Sequence, residues 1–402
     1  MVWGPRRGTV MSHPSSGPAP RSSLGIDLGT THTVLAHRSE VLPVSREPGR
    51  ETLLPSVVAH PPSGEELVGW SARSRRTIDP RHTLTSTKRL IGARSGSYRA
   101  KRFAERHPYE IVDVDGHAAL RTRVGSVLPT QVAASVLREA CAVAGFEPSS
   151  HFAVISVPAG FEAEERAATL EAARAAGFPQ ARLIEEPVAT AVAYLERSSV
   201  RYATIYDLGG GTFDLAVVDC TRYPFRVIGH GGDPYLGGDD VDRALATRVA
   251  DRVLRTQRWD LASDPETFAR LTVHAEDAKI ALGTAEETSR PLDEIDAAAP
   301  NASPVVFDRA MLTEITTDVV RRTFVVCDHV LADAGLRARD IDAVFLAGGS
   351  TALPGLGDMV GSYFGKRPRF DLDPMEVVAR GASLAAVRPD LHRLLEADGY
   401  AA

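Results

Sequence analysis

The stretch Ile205–Val218 reads IYDLGGGTFDLAVV, two short apolar runs joined by a triple-glycine turn. Glycine has no Cβ, so Gly209–Gly211 can adopt backbone angles closed to other residues and can let a ligand approach the main chain. Successive amides in such a turn form an anion-binding concavity, with the Thr212 hydroxyl beside it. Asp207 precedes the glycines, where its carboxylate can hold a divalent metal through water. The turn predicts a site for phosphate and metal, although considered alone it is equally well explained as a plain hairpin.

A second turn of this kind lies near the start of the chain. Leu24–Ala36 reads LGIDLGTTHTVLA, again with an aspartate, a Leu-Gly turn, hydroxyl residues and a returning apolar strand. The repetition indicates an internal duplication. Two such hairpins facing each other would place Asp27 and Asp207 on opposite walls of one cleft, where they would converge on one metal-bound polyphosphate.

The two segments resemble the first and second phosphate loops of the actin, sugar-kinase and heat-shock ATPase superfamily. Within it, the chain is similar to the nucleotide-binding domain of the DnaK-type heat-shock protein 70 chaperones from about residue 24 to about residue 387. Several ordered motifs are a more specific signal than any one of them. The further matching motifs, in the family's order, are Lys88–Gly92, Val154–Ala159, Glu185–Ala189, Leu236–Asp240, Leu346–Thr351 and Ala379–Ala382.

The resemblance implies an actin-like α/β fold. Two lobes of duplicated ribonuclease-H-like topology, each with an inserted subdomain, would enclose an ATP cleft. The length of 402 residues agrees with this, because it exceeds the usual size of a single core. The expected division is a disordered N-terminal extension at 1–23, lobe I at 24–200 with an insert at about 41–129, lobe II at 201–387 with an insert at about 241–308, and a tail at 388–402 with no peptide-binding domain.

Hydrophobic periodicity predicts helices alternating with buried strands, as in α/β proteins. Gly145 stands where a left-handed helix cap is expected. The predicted strands are Phe152–Val157 and Ile341–Leu346, and the predicted helices are Gln131–Ala144, Glu162–Ala176, Val188–Leu195, Val241–Leu282 with a break near 263–265, Ala310–Ala334 and Pro374–Ala386.

The resemblance also assigns roles in phosphoryl transfer, which needs charge neutralised and a water held in line. Lys88 matches the lysine beside the γ-phosphate and the attacking water; without its motif it would be taken for a surface lysine. Asp27 and Asp207 match the carboxylates that hold hydrated Mg²⁺. Asp214 matches a group lining the cleft, with pairing at a strand edge as the plain alternative. Catalytic roles are expected for Lys88, Asp207, Thr212 and Glu186, and nucleotide contacts for Gly29, Thr30, Thr31, Gly209, Gly210, Gly211, Asp214, Gly237, Gly238, Asp239, Glu276, Lys279, Gly348, Gly349 and Ser350.

At the adenosine end the chain departs from the family pattern. Ile280 and Ala352 stand where the family usually has two arginines that stack on the adenine. Met375 stands where an acid usually follows the last Asn-Pro motif. Cation–π stacking worth ~1–2 kcal/mol per contact would be lost. Glu276 and Lys279 match the helix that contacts the nucleoside, but their i, i+3 spacing also suits a surface ion pair.

Composition excludes several function classes. A net charge of -6 provides no basic footprint, so we expect no nucleic-acid partner. Cys141, Cys220 and Cys327 are too few and too scattered for a disulfide framework, and we expect buried thiols. With no apolar run of about 18 residues, we expect no membrane span and a cytoplasmic location. The basic run Arg73–Arg76 is expected on a solvated face.

The resemblance implies an ATP-binding, slowly ATP-hydrolysing molecular chaperone or protein-folding switch that lacks the substrate-binding domain, with ATP/ADP and Mg²⁺ as cofactors. Its partners would be proteins, co-chaperones or exchange factors among them. Pro158 and Arg166 match the pair that relays the nucleotide state between lobes, although Arg166 also suits a solvent-facing helix position. Two alternatives stay open: a nucleotide-gated scaffold that does not hydrolyse ATP, and a filament-forming actin-like ATPase.

Overall fold

The computed structural model describes residues 23–195, 200–222, 225–299 and 303–388. We refer to the part before residue 196 as lobe I and to the part after residue 199 as lobe II. The expectations for the N-terminal extension and the C-terminal tail lie outside the described residues, apart from Ser23 and Arg388. Among the described helices, none has both the length and the apolar character required to cross a bilayer.

Lobe I combines many short strands with a few helices. Its strands are β1 Ser23–Leu28, β2 His32–His37, β3 Glu40–Val41, β4 Leu54–Pro55, β5 Val58–Ala59, β6 Leu67–Val68, β7 Thr83–Leu84, β8 Ile111–Val114, β9 His117–Thr122, β10 Gly125–Val127, β11 Phe152–Val157 and β12 Gln180–Glu185. Its helices are α1 Trp70–Arg73, α2 Tyr98–Ala104, α3 Pro129–Ala144, α4 Ala163–Ala175 and α5 Glu186–Leu195, with 3₁₀ turns at Pro80–His82, Thr87–Leu90 and Pro148–Ser150.

Lobe II continues the numbering. Its strands are β13 Tyr202–Leu208, β14 Phe213–Asp219, β15 Arg226–Asp233, β16 Glu287–Arg290, β17 Val305–Asp308 and β18 Ala343–Ala347. Its helices are α6 Gly238–Gln257, α7 Pro265–Ala281, α8 Leu292–Ile295, α9 Arg309–Asp333, α10 Leu356–Phe364 and α11 Val377–Val387, with 3₁₀ turns at Ala338–Asp340 and Gly349–Ala352.

The main sheets of the two lobes share one topology. The lobe I sheet has the order β12-β11-β1-β2-β3, with β4 also paired to β2, and the lobe II sheet has the order β15-β14-β13-β18. In each lobe the first strand pairs antiparallel with the next strand and parallel with a later one: β1 with β2 and β11, and β13 with β14 and β18. The duplication predicted from the two hairpins is therefore present.

Two helices form a layer that both sheets share. α5 and α11 bury a common apolar cluster with strand residues of lobe I, such as Val154, and of lobe II, such as Phe345. α11 approaches its neighbours at two glycines. A Cβ on Gly381 would lie 1.7 Å from the Ala189 carbonyl oxygen of α5, and a Cβ on Gly25 would lie 2.1 Å from the Ser383 nitrogen. The lobes thus meet on a tightly packed helix pair.

Each lobe also has its own outer core and smaller sheets. In lobe I, β5 pairs with β6 and β7, and β8–β10 form a second small sheet. In lobe II, β16 pairs with β17 while α6 packs against α7 and α9. Some of these outer segments, such as α1 of lobe I and α7 of lobe II, line the space between the lobes.

The predicted strand Phe152–Val157 is β11, and the strand predicted at 341–346 is found as β18 at Ala343–Ala347. Most predicted helices agree with the structure to within a few residues. Gly145 has φ +75°, which confirms the left-handed cap. The break within Val241–Leu282 is wider than predicted, because α6 ends at Gln257 and Arg258 takes a left-handed conformation. The closing helix begins at Val377 rather than Pro374, since Asp373 first closes a turn by accepting the Met375 amide at 2.8 Å.

Candidate functional site

The two predicted hairpins face each other across a cleft of about 440 Å³. Its lining includes Asp27, Thr31, Asp207 and the glycine turn Gly209–Gly211, so both lobes contribute. The turns come close enough that a Cβ on Gly210 would lie 1.9 Å from Thr31 Oγ1. The predicted convergence of Asp27 and Asp207 on one cleft is therefore observed.

Glycine is required in the triple-glycine turn for a different reason from the one expected. None of Gly209, Gly210 and Gly211 is among the described residues with positive φ. Instead, lobe I fills the space of a side chain at Gly210 and Gly211, where a Cβ on Gly211 would lie 2.7 Å from Thr30 Cγ2, whereas a Cβ on Gly209 would make only ordinary contacts. Unusual backbone angles matter at Gly348, where φ is +82° and a Cβ would lie 2.5 Å from Asp207 Oδ1.

Protein donors hold the carbonyl groups of this turn. The Gly238 amide donates to Gly209 O at 3.0 Å, and Ser350 Oγ donates to the same oxygen at 2.8 Å. The Asp239 amide donates to Gly210 O, and the Arg89 guanidinium donates to Gly211 O. The N-terminus of α6 and the start of the Gly349–Ala352 turn thus fix the orientation of the glycine turn.

A charged cluster lies at the cleft: Asp27, Glu186 and Asp207 belong to the cleft lining, whereas Lys88 and Asp214 of the same cluster do not. Lys88 Nζ lies 2.9 Å from Glu186 Oε1, with side chains 11% and 12% exposed. Asp27 Oδ1 accepts a 2.9 Å hydrogen bond from the buried Ser156 hydroxyl. Asp207 and Asp214 stand directly opposite each other in the β13–β14 pair. Four carboxylates therefore surround the Lys88 ammonium group.

This crowding shifts the pKa values in a consistent way. Burial and the charge of Glu186 raise the pKa of Asp27 to about 6 and that of Asp214 to about 7. Burial and the neighbouring carboxylates raise the pKa of Asp207 well above its usual value. For Lys88, burial opposes the charged form, but Glu186 and Asp27 outweigh it and raise the pKa, so the side chain stays protonated. The cluster has an excess of negative charge that a bound cation would relieve.

The cleft also fits a phosphate group. Thr31 Oγ1 is buried and has no hydrogen-bond partner among the described residues. A buried hydroxyl without a partner costs free energy that a ligand oxygen would recover. For the metal, no group of three or more His, Cys, Asp or Glu side chains in the described ranges is arranged to hold an ion directly. The donor set suits an ion held through its water shell, as the sequence predicts for Asp27 and Asp207.

Apolar side chains line the end of the cleft where the resemblance places adenosine. Ile280, Ala352, Leu353 and Met375 all border the cleft, and Ile280 is 52% exposed. Met375 packs over Gly349, where an added Cβ would lie 3.3 Å from Met375 Cε. Trp70 forms the opposite wall, with the Arg50 guanidinium 4.7 Å above its ring. A flat base could be held here by shape and apolar contact.

The other predicted site residues differ in their position relative to the cleft. Gly29, Thr30, Thr212 and Gly349 line the cleft, and Gly237 and Gly238 begin α6 directly beneath the glycine turn. Asp239 turns away from the cleft toward lobe I, where it accepts from Ser86 Oγ at 3.1 Å. Lys279 borders the cleft but its ammonium pairs with Asp242 at 2.8 Å.

The predicted relay residues lie outside the cleft. Pro158 is buried immediately after β11. Arg166 on α4 bonds the carbonyl oxygen of Phe161 at 2.7 Å and pairs with Glu185 at the end of β12 at 3.2 Å. Arg166 is therefore part of an ordered connection between α4 and the strand that leads to Glu186.

The expectation that Arg73–Arg76 forms a solvated face is wrong. Arg73 lies 3.1 Å from Glu276 Oε1, and Arg76 pairs with the other oxygen of the same carboxylate. Glu276 is 9% exposed, and burial is overcome by these two arginines, which lower its pKa. No local pattern signals this contact, because Arg73 and Glu276 are distant in the chain. Glu276 thus pairs with arginines of the opposite lobe, while Lys279 pairs with Asp242, so the predicted i, i+3 pair between them is not formed.

Sequence reasoning also missed Arg89 and Ser156. Both belong to matching motifs, Lys88–Gly92 and Val154–Ala159, but neither residue type by itself indicates a function there. Arg89 binds the glycine turn, and Ser156 positions Asp27. Their positions immediately beside predicted site segments were the only signal for them.

Comparison with known proteins gives the class of the chain. A family model described as "Hsp70 protein" matches residues 23–390. The chain therefore belongs to the Hsp70 family, and it corresponds to the nucleotide-binding domain. The predicted actin-like fold is confirmed.

Two curated proteins show which members of the family the chain is similar to. Both are described as "Chaperone protein HscA homolog", one from Acidithiobacillus ferrooxidans strain ATCC 53993 / BNL-5-31 and one from strain ATCC 23270. Each is 39% identical to this chain over 372 residues, which cover 91% of this chain and 58% of the relative. The chain thus spans less than two thirds of the length of these relatives.

Proposed function

We propose that the cleft binds Mg²⁺-ATP and slowly hydrolyses it to ADP and phosphate. The observation that carries this proposal is the Lys88–Glu186 ion pair at 2.9 Å, in which Glu186 lines the cleft together with Asp27 and Asp207 of the two hairpins. A protonated lysine at this point supplies positive charge where negative charge develops during phosphoryl transfer. The unpartnered Thr31 hydroxyl supports a phosphate at the same place.

The residues of the cleft would have different roles, according to their chemistry. Asp27, oriented by Ser156, and Asp207 would hold the hydrated magnesium ion, which supplies charge neutralisation on the phosphates when bound. Thr30, Thr31 and the turn Gly209–Thr212 would hold the phosphate oxygens. Glu186 would accept a hydrogen bond from the attacking water, since its carboxylate is fixed by Lys88.

Hydrolysis would act as a conformational switch. The lobes rest on the α5–α11 pair, and the cleft mouth is bridged by Arg73 and Arg76 to Glu276. A nucleotide that contacts both the Gly29–Thr31 turn and the Gly209–Gly211 turn would favour the arrangement in which the lobes are closed. Loss of the nucleotide would allow the lobes to open. Closure would change affinity for a protein partner, with Arg166 and Glu185 transmitting the change along lobe I. The chaperone description of the relatives supports such a role, and co-chaperones or exchange factors are the partners we propose.

One observation favours a second function. The adenosine end carries Ile280, Ala352 and Met375, none of which can stack a cation on the base. A scaffold that binds nucleotide without hydrolysing it would need only the phosphate contacts. The ordered Lys88–Glu186 pair supports hydrolysis over this alternative.

Calorimetric titration with ATP, with Mg²⁺ and with EDTA, tests the proposal. We expect micromolar or tighter binding that depends on Mg²⁺, loss of that dependence in Asp207→Asn, and no change in Asp333→Asn, which alters an exposed aspartate on α9. A turnover assay on the bound complex then separates an ATPase from a scaffold. An absence of ATP binding to the wild-type chain would overturn both functions.

A further inference from the structure

One end of the nucleotide cleft is lined by apolar residues, and its chemistry bears on which bases the cleft accepts. We call it the apolar end; its residues are Ile280, Gly283, Ala352, Leu353, Pro354 and Met375. None of these residues has an oxygen or a nitrogen atom in its side chain. In the function proposed above, on which this inference rests, the phosphates lie at the turns 29–31 and 209–212. The base would then lie against the apolar end, because flat organic groups bind to apolar pocket surfaces.

Backbone N–H groups at the apolar end already have acceptors within the protein. The amides of Gly283 and Leu353 each donate to the carbonyl oxygen three residues earlier in the chain, at 3.2 and 3.1 Å. The Met375 amide donates to the Asp373 carboxylate at 2.8 Å. Pro354 has no N–H group. The main chain at these four positions therefore offers no free donor to the edge of a base.

Polar side chains of lobe II that line the cleft beside the apolar end are held by protein partners. Ser350 Oγ donates to Gly209 O at 2.8 Å. The Lys279 ammonium pairs with Asp242 at 2.8 Å. The carboxylate of Glu276 is held by two arginines of lobe I. These three polar groups are thus directed toward the protein.

The lobe I wall of the cleft contributes a ring and a cation. Trp70 Nε1 donates to Leu53 O at 3.0 Å, which fixes the indole. The Arg50 guanidinium lies 4.7 Å from the centroid of the Trp70 ring. An arginine beside a base can donate to N7, an acceptor that adenine and guanine share. This wall therefore offers a contact that suits both purines.

Adenine and guanine differ in the polar groups on one edge. Adenine has the N6 amino donor where guanine has the O6 acceptor. A site distinguishes such ligands strongly when its own buried polar groups pair with one and are left unpaired by the other. Ile280 is 52% exposed, so the apolar end is open to water and the differing edge of either base can stay hydrated. Neither base is penalised there.

We propose that the cleft accepts purine nucleoside triphosphates without distinguishing adenine from guanine, so that GTP occupies it as ATP does. Ile280 and Met375 contact the ring faces, which are alike in the two purines. The phosphates contact the glycine turns in the same way in both nucleotides. A pyrimidine has a smaller ring and buries less apolar area, so it binds more weakly.

Calorimetric titration of the full chain with ADP, GDP and UDP, each with Mg²⁺, tests base selectivity without interference from hydrolysis. We expect GDP to bind within about fivefold of ADP, and UDP to bind more weakly than that range. A GDP affinity below the range would overturn the inference and leave the ATP-binding function intact. UDP binding within the range would overturn it as well, since the base would then gain nothing at the apolar end. An absence of binding by all three would overturn both the inference and the proposed function.

Ile280→Ala tests where the base lies. It should weaken ADP and GDP by the same factor, about three- to tenfold, because both bases lose the same apolar contact. Val325→Ala is the matched control, since Val325 is a 57% exposed apolar side chain on α9, and it should bind both nucleotides as the wild type does. Weakening of only one nucleotide, or of neither, in Ile280→Ala would overturn the placement of both bases at the apolar end.

Discussion

The close packing of α5 against α11, the two helices shared by both lobes, requires a glycine at position 381. Gly381 lies within α11, and a Cβ there would lie 1.7 Å from the Ala189 carbonyl oxygen of α5. Real Cβ contacts below 3.0 Å essentially do not occur, so Gly381→Ala forces the two helices apart by about 1.3 Å. The atom in the way belongs to the backbone, so no side-chain rotation can relieve the contact.

Two effects of this substitution have opposite signs. Replacing glycine by alanine inside a helix gains about 0.5–1 kcal/mol from backbone entropy. Inserting a methyl into a closely packed core costs about 1–3 kcal/mol. Because α5 and α11 serve both sheets, separation disturbs the whole shared core, and we place the cost at the upper end. The net expectation is a loss of about 1–2 kcal/mol in the free energy of unfolding.

Urea unfolding followed by far-UV circular dichroism measures this loss. Gly357→Ala in α10 is the matched control, because a Cβ there meets only the tip of the half-exposed Phe370 ring at 3.1 Å. The control should be neutral or slightly more stable than the wild type. A Gly381→Ala chain as stable as the wild type would refute the shared-layer account of the interlobe packing.

Three further predictions concern the cleft. Gly210→Ala places a methyl group against Thr31 and should lower the rate of ATP hydrolysis about 100-fold, because a misplacement of roughly 1 Å has an effect of this size. Single-turnover kinetics measures this rate, and a rate equal to that of the wild type would contradict the contact. Arg76→Gln removes one of the two arginines on Glu276, so ADP release, followed by stopped flow with a fluorescent analogue, should become about 3- to 10-fold faster; slower or equal release would contradict a closing role. The raised pKa of Asp214 means that the folded chain binds more protons than the unfolded chain between about pH 4 and 7, so stability contributed by this group falls as pH rises through that window. Asp214→Asn should accordingly gain on the order of 1 kcal/mol relative to the wild type between pH 5 and pH 8 in urea unfolding without Mg²⁺, and a pH-independent difference would be inconsistent with the shift.

The hairpin pairing was predictable because its information is local. The segments around Asp27 and Asp207 each carry an aspartate, a glycine turn and a returning strand, and a duplicated topology brings equivalent turns face to face. The ordered motifs fixed the position of Lys88 in the same way. In both cases the residues that matter lie within a few positions of the motif that reveals them.

Contacts between distant segments could not be read in this way. The binding of Arg73 and Arg76 to Glu276 depends on how the inserts of the two lobes approach, which no local pattern records. Glycine at position 210 was expected for its backbone freedom and for ligand access, whereas the neighbour that excludes a side chain there is Thr31 of the other lobe. Contacts between side chains of different lobes can be identified only when the positions of both lobes are known.

Single-turnover hydrolysis of ATP by Lys88→Met tests the central claim most directly. Lys88 places its ammonium group within the carboxylate cluster, whereas Lys101 is exposed on α2 and provides a matched control. The account predicts that Lys88→Met still binds Mg²⁺-ATP but hydrolyses it at least about 100-fold more slowly, while Lys101→Met matches the wild type. Hydrolysis by Lys88→Met at the wild-type rate would contradict it.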